Sequence, residues 1–210
     1  MTKNKITKIL FRKNILMGDM IKMDFTNNCQ HSIVLPNPIT QVASMPYPLY
    51  LSLQGKYFVG YADELQFGNG KSAWAGLINP CCSGVNLHVY VWTVTNIGTS
   101  PIRAQIWFNS DPPGNPTMSE LVTPANTALC PLPQPRVKLL QASNVTGDPQ
   151  GGVKAFVRRA LPEVTIADDE AGKFIFPPGG SFVVFLSNPE APNEPAMGRV
   201  AFGWSEEKIK

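Results

Sequence analysis

Residues 85–109 constrain the fold more than any other stretch. The run Val85-Asn86-Leu87-His88-Val89-Tyr90-Val91-Trp92-Thr93-Val94-Thr95-Asn96 alternates along its length. A turn follows at Ile97-Gly98-Thr99-Ser100-Pro101, and Ile102-Arg103-Ala104-Gln105-Ile106-Trp107-Phe108-Asn109 alternates again. Successive side chains of a strand point to opposite faces, so period-two patterning rich in β-branched and aromatic residues predicts a half-buried antiparallel hairpin. At about 3.3 Å per residue the first strand spans ~40 Å, so it is expected to bend or to be shared between sheets.

The rest of the chain agrees with that hairpin. Twenty prolines and 17 glycines punctuate 210 residues, which suits short strands joined by turns and argues against long helices. Further strands are predicted at residues 56–61, 72–78, 136–142, 153–159, 173–176, 181–187 and 198–204. Phe182-Val183-Val184-Phe185-Leu186 replaces alternation with continuous apolarity, the mark of a central strand buried on both faces. Residues 111–135 read as loop. Asp168-Asp169-Glu170 reads as a solvated turn, because its spacing is not that of a calcium loop. The expected class is all-β: an antiparallel β-sandwich or jelly roll of about nine strands across residues 51–210, closed by a polar tail.

Two segments precede it. Residues 1–23 form a basic tail, read as disordered or as a mis-assigned start. Residues 24–50 form a proline-rich arm in which Pro36, Pro38, Pro46 and Pro48 exclude a helix and a central strand alike. It is predicted to be extended, with apolar beads at Ile33, Val34, Leu35, Leu49 and Leu51 able to dock on a neighbour's sheet edge.

Charge sorts the partners. Net charge is +3. Residues 1–25 hold six basic groups (Lys3, Lys5, Lys8, Arg12, Lys13, Lys22) against Asp19 and Asp24, which leaves the remainder near -1. A nucleic-acid-binding domain carries its basic stripe on the folded body, so nucleic acid is not an expected partner. Charged residues are only 16% of the chain, a surface suited to packing against copies of itself. No run approaches the ~20 uncharged apolar residues of a membrane-spanning helix. The N-terminus lacks a signal-peptide pattern, so synthesis in the cytoplasm without a leader is expected.

The side chains offer little catalytic material. Cys29, Cys81, Cys82 and Cys130 form no C-x-x-C pair, and His31 and His88 are remote from each other, so no metal site is expected. No serine or cysteine has a nearby base. The chain is therefore read as a non-enzyme without a cofactor. The adjacent thiols Cys81 and Cys82 bridge each other only with strain. All four cysteines are accordingly candidates for bridging subunits, Cys29 from the arm. An alternative reading sets Tyr90, Trp92 and Trp107 out as an exposed platform for carbohydrate.

Several stretches together carry a resemblance. They are Ser52-Leu53-Gln54-Gly55-Lys56-Tyr57-Phe58-Val59-Gly60, Asn126-Thr127-Ala128-Leu129-Cys130-Pro131-Leu132-Pro133, Phe176-Pro177-Pro178-Gly179-Gly180-Ser181-Phe182 and Ala201-Phe202-Gly203-Trp204. Over most of residues 50–208 they resemble a family of uncharacterised proteins from Gram-positive spore-forming bacteria. The overall plan also resembles that of endospore appendage subunits, in which a cysteine-bearing N-terminal connector precedes one jelly-roll domain. That resemblance implies a connector inserted into a neighbour and disulfides locking a fibre, with Cys29 at the connector position. Cys81 and Cys82 depart from the plan by lying in the body. The function expected is that of a structural, self-assembling subunit deposited on a spore surface or in an appendage.

Overall fold

In the computed structural model, residues 44–209 are described. The chain divides into two units, residues 1–46 and 47–210. Cys29, Ile33, Val34 and Leu35 lie outside the described residues.

The second unit opens with a helix, α1 (Tyr47–Leu53), which corrects the extended reading of residues 47–50. Pro48 stands in the first helical turn, where its missing N–H deprives no carbonyl of a partner and its fixed φ already suits the helix. Leu51 is buried within its own chain, so it is not a bead free for a neighbour. Leu49 is about half exposed.

Eleven strands follow: β1 (Tyr57–Gly68), β2 (Ser72–Ile78), β3 (Val85–Asn96), β4 (Ile102–Phe108), β5 (Thr117–Met118), β6 (Val122–Pro124), β7 (Lys138–Val145), β8 (Val153–Ala160), β9 (Thr165–Phe176), β10 (Ser181–Ser187) and β11 (Pro195–Lys208). They form two antiparallel sheets, ordered β6-β1-β11-β3-β9 and β5-β7-β2-β10-β4-β8. Setting aside β5, β6 and β7, the remaining eight pair as nested hairpins: β1 with β11, β2 with β10, β3 with β9 and β4 with β8. That nesting is the jelly-roll topology. The segment between β4 and β8 supplies the three added strands, which widen both sheets on one flank.

The core lies between the sheets. Phe182 of β10 is fully buried and meets Phe108, Phe174, Phe176, Phe202 and Trp92, with ring centroids 5.7, 6.3, 6.0, 6.1 and 6.3 Å away. β10 is central and buried on both faces, as its continuous apolarity implies. Its outer side chains Val183 and Phe185 pack with Trp74, Ala142 and Val145 in a second cluster. The loop after β4 lies over that cluster, where Trp74 Nε1 donates to the Pro113 carbonyl at 2.7 Å.

A bulge changes which face the β3 side chains take. Val89 pairs with Trp204 and Val91 with Gly203, which leaves Tyr90 as the extra residue. Leu87 and Val89 face the core before the bulge, and Trp92 and Val94 face it after. The simple alternation therefore fails across Tyr90. Tyr90 is 6% exposed and Trp92 1%, while Trp107 is half-buried with the Lys154 ammonium 4.9 Å over its ring. These three residues form no exposed platform.

Two other readings need correction. Asp168-Asp169-Glu170 lies within β9 rather than in a turn. Glu170 is buried, accepting from Trp92 Nε1 at 3.3 Å and pairing with Lys173 at 2.9 Å. Ser205–Lys208 belong to β11. Glu206 is buried and accepts from the backbone N–H groups of Arg136 (2.9 Å) and Val137 (2.9 Å) and from Trp204 Nε1 (3.4 Å).

Candidate functional site

The outer face of the five-stranded sheet carries an apolar hollow of about 500 Å³. It arises from the residue sizes along β11. In Val200-Ala201-Phe202-Gly203-Trp204 the large side chains face the core, and the small residues Ala201 and Gly203 face out. Tyr61 and Thr93 flank Ala201 from β1 and β3, and Val59 and Val91 flank Gly203. Leu121, just before β6, and Val122, its first residue, complete the rim. Val59, Tyr61 and Leu121 are 37, 36 and 46% exposed.

Side chains of the same outward-facing rows stand beyond each end of the hollow. At one end the Tyr57 hydroxyl lies so near Gly203 that a Cβ there would meet it at 2.7 Å, with Val91 Cγ1 equally close. Tyr57 packs edge-on against Tyr90, centroids 5.2 Å apart. Burial, reinforced by the Tyr90 and Asp169 charges, pushes the Tyr57 hydroxyl up to about 12. Burial also raises Tyr90. At the other end Arg199 Nε donates to Asp63 Oδ1 at 2.6 Å. That hydrogen bond holds the Asp63 carboxyl below its ordinary range. The Arg199 guanidinium also sits 6.0 Å from the Tyr61 ring. Asp63 and Arg199 thus neutralise each other, and the exposed Glu120 contributes a carboxylate to the lining of the hollow. His88 Nδ1 faces the Gly172 carbonyl, and its Nε2 lies 3.3 Å from Glu207 without hydrogen-bond geometry.

Cys81, Cys82 and Cys130 are free and exposed. The fold brings their loops to one end of the sandwich. Cys81 and Cys82 occupy the turn between β2 and β3. Cys130 lies in the segment ahead of β7, which Arg136 ties to that turn by donating from Nη1 to the Ser83 carbonyl at 2.7 Å. Gly55, just after α1, packs against Leu129 and Pro133 of the same segment. The Ile209 N–H donates to the Gly84 carbonyl. The place where the chain enters the sandwich, its last strand and the three thiols therefore share one end. Among the described residues, no group of three or more His, Cys, Asp or Glu is placed to hold a metal ion, and no helix is long and apolar enough to cross a membrane.

The hollow was not anticipated from the sequence. Its signal was present in the large–small alternation Val200-Ala201-Phe202-Gly203-Trp204, which becomes an outer trough once the strand's inner face is assigned. The edges expected to receive an apolar arm are defended. β8 carries Lys154, Arg158 and Arg159, and β9 carries Asp168, Asp169 and Lys173 with a turn of positive φ at Ala171-Gly172. Charges and bulges of this kind discourage a further strand from pairing.

Fold and surface together define a jelly-roll sandwich with an apolar outer face and a thiol-bearing end. The chain belongs to a family of unknown function, DUF6143, whose model matches residues 31–210. Neither a curated protein nor a solved structure matches it.

Proposed function

We propose that this protein is a structural subunit that assembles with copies of itself, in a spore surface layer or an appendage fibre. The N-terminal segment, residues 24–46, engages a neighbouring copy, and inter-subunit disulfides reinforce the contact. The observation that carries the reading is the gathering of three exposed thiols at the end where the chain enters the sandwich. The low charge of the chain supports it, as does the resemblance in plan to endospore appendage subunits. In each bridge two thiols yield two protons and two electrons to dioxygen and one S–S bond forms. Cys81, Cys82 and Cys130 are the body partners, and Cys29 is the arm partner.

The test is electrophoresis of the full chain after air oxidation, with light scattering on the native protein. A ladder that collapses to one band with reductant is the expected result. Replacing Cys81, Cys82 and Cys130 together by serine removes most of it without lowering the melting temperature. Deleting residues 1–46 leaves a monomer, because the second unit holds its own core. A full-length chain that stays monomeric at high concentration under oxidising conditions overturns the proposal.

A further inference from the structure

We infer that Cys81 and Cys82 form one dithiol–disulfide exchange couple. A disulfide that either sulfur makes with a thiol of another copy is resolved by its neighbour, which closes a Cys81–Cys82 bond and expels the incoming thiol. The role in assembly rests on the self-association proposed above, whereas the exchange chemistry rests on the turn alone. Both thiols are exposed. They are the two central residues of a β-turn, Pro80–Ser83, closed by the Ser83 N–H donating to the Pro80 carbonyl at 3.0 Å.

The turn is fixed at its base and loose at its tip. Asn79 is 1% exposed and donates from Nδ2 to the carbonyls of Val85 at 2.8 Å and Phe176 at 3.1 Å. Its own N–H donates to the Gly180 carbonyl, and its carbonyl accepts from the Gly179 N–H. On the other side, Arg136 donates from Nη1 to the Ser83 carbonyl at 2.7 Å, and the Ile209 N–H donates to the Gly84 carbonyl. Among the described residues, by contrast, the Cys81 carbonyl and the Cys82 N–H take no hydrogen-bond partner. The peptide unit between the two sulfurs can therefore rotate without breaking a hydrogen bond, and the anchored stems confine the change to it.

Geometry decides what such a couple does. The Cys81–Cys82 peptide is trans, which sets the two Cα atoms about 3.8 Å apart. Ordinary disulfides span roughly 4.4–6.8 Å between Cα atoms, and a departure stores strain that makes the bond easier to reduce. The closed pair is thus a reactive disulfide of the strained, exposed kind, not a lasting staple. Adjacency favours closing and strain favours reopening. Cys130 has no thiol beside it in sequence, so a bridge made there has no such neighbour to resolve it. The step balances without an outside oxidant. The thiolate of one cysteine attacks the bridged sulfur of the other, the Cys81–Cys82 bond forms and the mixed disulfide breaks. The departing thiolate takes up the proton that the attacking thiol gave up. Bridges from this turn therefore exchange between copies.

The experiment uses the full chain with Cys29→Ser and Cys130→Ser, reduced, held dilute and treated with one equivalent of dithiobis(nitrobenzoate). Two thionitrobenzoate ions per chain are expected, leaving a monomer two hydrogens lighter and without adduct in the mass spectrum. Adding Cys81→Ser or Cys82→Ser is expected to stop the reaction at one ion released and one stable adduct, with the melting temperature unchanged. In air-oxidised assemblies of Cys130→Ser chains of two sizes, adding Cys82→Ser is expected to slow the mixing of sizes at least tenfold. A starting chain that keeps the nitrobenzoate adduct, or gives a disulfide dimer instead of the closed monomer, overturns the inference while the self-association proposal stands. Closure in a chain that never forms the ladder keeps the couple and overturns its role in assembly.

Discussion

At the scale of single residues, Gly203 and Glu206 hold opposite sides of one strand. The space beside Gly203 is filled by the Tyr57 hydroxyl and Val91, not reserved for an unusual backbone angle. Gly203→Ala forces those neighbours apart and is expected to destabilise the fold by about 1–3 kcal/mol, the usual range for overpacking. Urea unfolding measures it. Tyr57→Phe removes one of the two obstacles, so the double variant recovers part of the loss, a coupling readable from the four-way cycle. Glu206 acts by acceptance. Glu206→Ala strands the N–H groups of Arg136 and Val137 and is expected to lose ~1–3 kcal/mol for the unsatisfied donors, with faster amide exchange at both. Tyr57 also sets an alkaline limit. Its folded pKa lies above the unfolded value near 10, so the folded state keeps a proton the unfolded state releases. The associated stability is whole below pH ~10 and declines as pH rises from there toward 12. Thermal melts across that window are expected to show a shallower decline for Tyr57→Phe.

At the scale of elements, the short helix α1 depends on one anchor. Leu51→Ala is expected to cost about 2–4 kcal/mol, typical of a buried leucine truncated in a packed site. The loss is read from the chemical-denaturation midpoint, with cleavage by added protease rising in residues 47–56. The strands were legible where pattern and burial coincide. β2, β4 and β10 match their sequence signals closely, since each lies inside a sheet and its apolar content reports that directly. β3 was legible as a strand but not in its facing, because the extra residue at Tyr90 inverts alternation and no composition signal marks a bulge. β5 and β6 were missed because two or three residues carry no period. The end of β11 looked polar because Glu206 is a buried carboxylate held by N–H donors from a distant segment. α1 was missed because Pro48 signals breakage everywhere except a first turn. The candidate surface was less legible than the fold. Cys81, Cys82 and Cys130 were visible as letters, but their common end follows from the jelly-roll path. The hollow depends on which side of β11 faces out.

At the scale of the whole molecule, thiol chemistry provides a direct check. All three described cysteines are exposed, so at least three thiols per reduced chain are expected to react with a disulfide reagent before any denaturant is added. Fewer would mean that these sulfurs are covered in solution. The two ends of the sandwich are unlike. One gathers the thiols and the ends of the second unit. The other holds short connections, among them those around Asn69-Gly70, Gly98, residues 161–164 and Pro192, where Gly70 donates to the Pro192 carbonyl. A Cβ placed on Gly70 meets nothing within 4 Å. That distal pole is therefore the natural splice point for a guest peptide: an epitope or enzyme tag inserted there would stand clear of the thiol-bearing end and of the packed core.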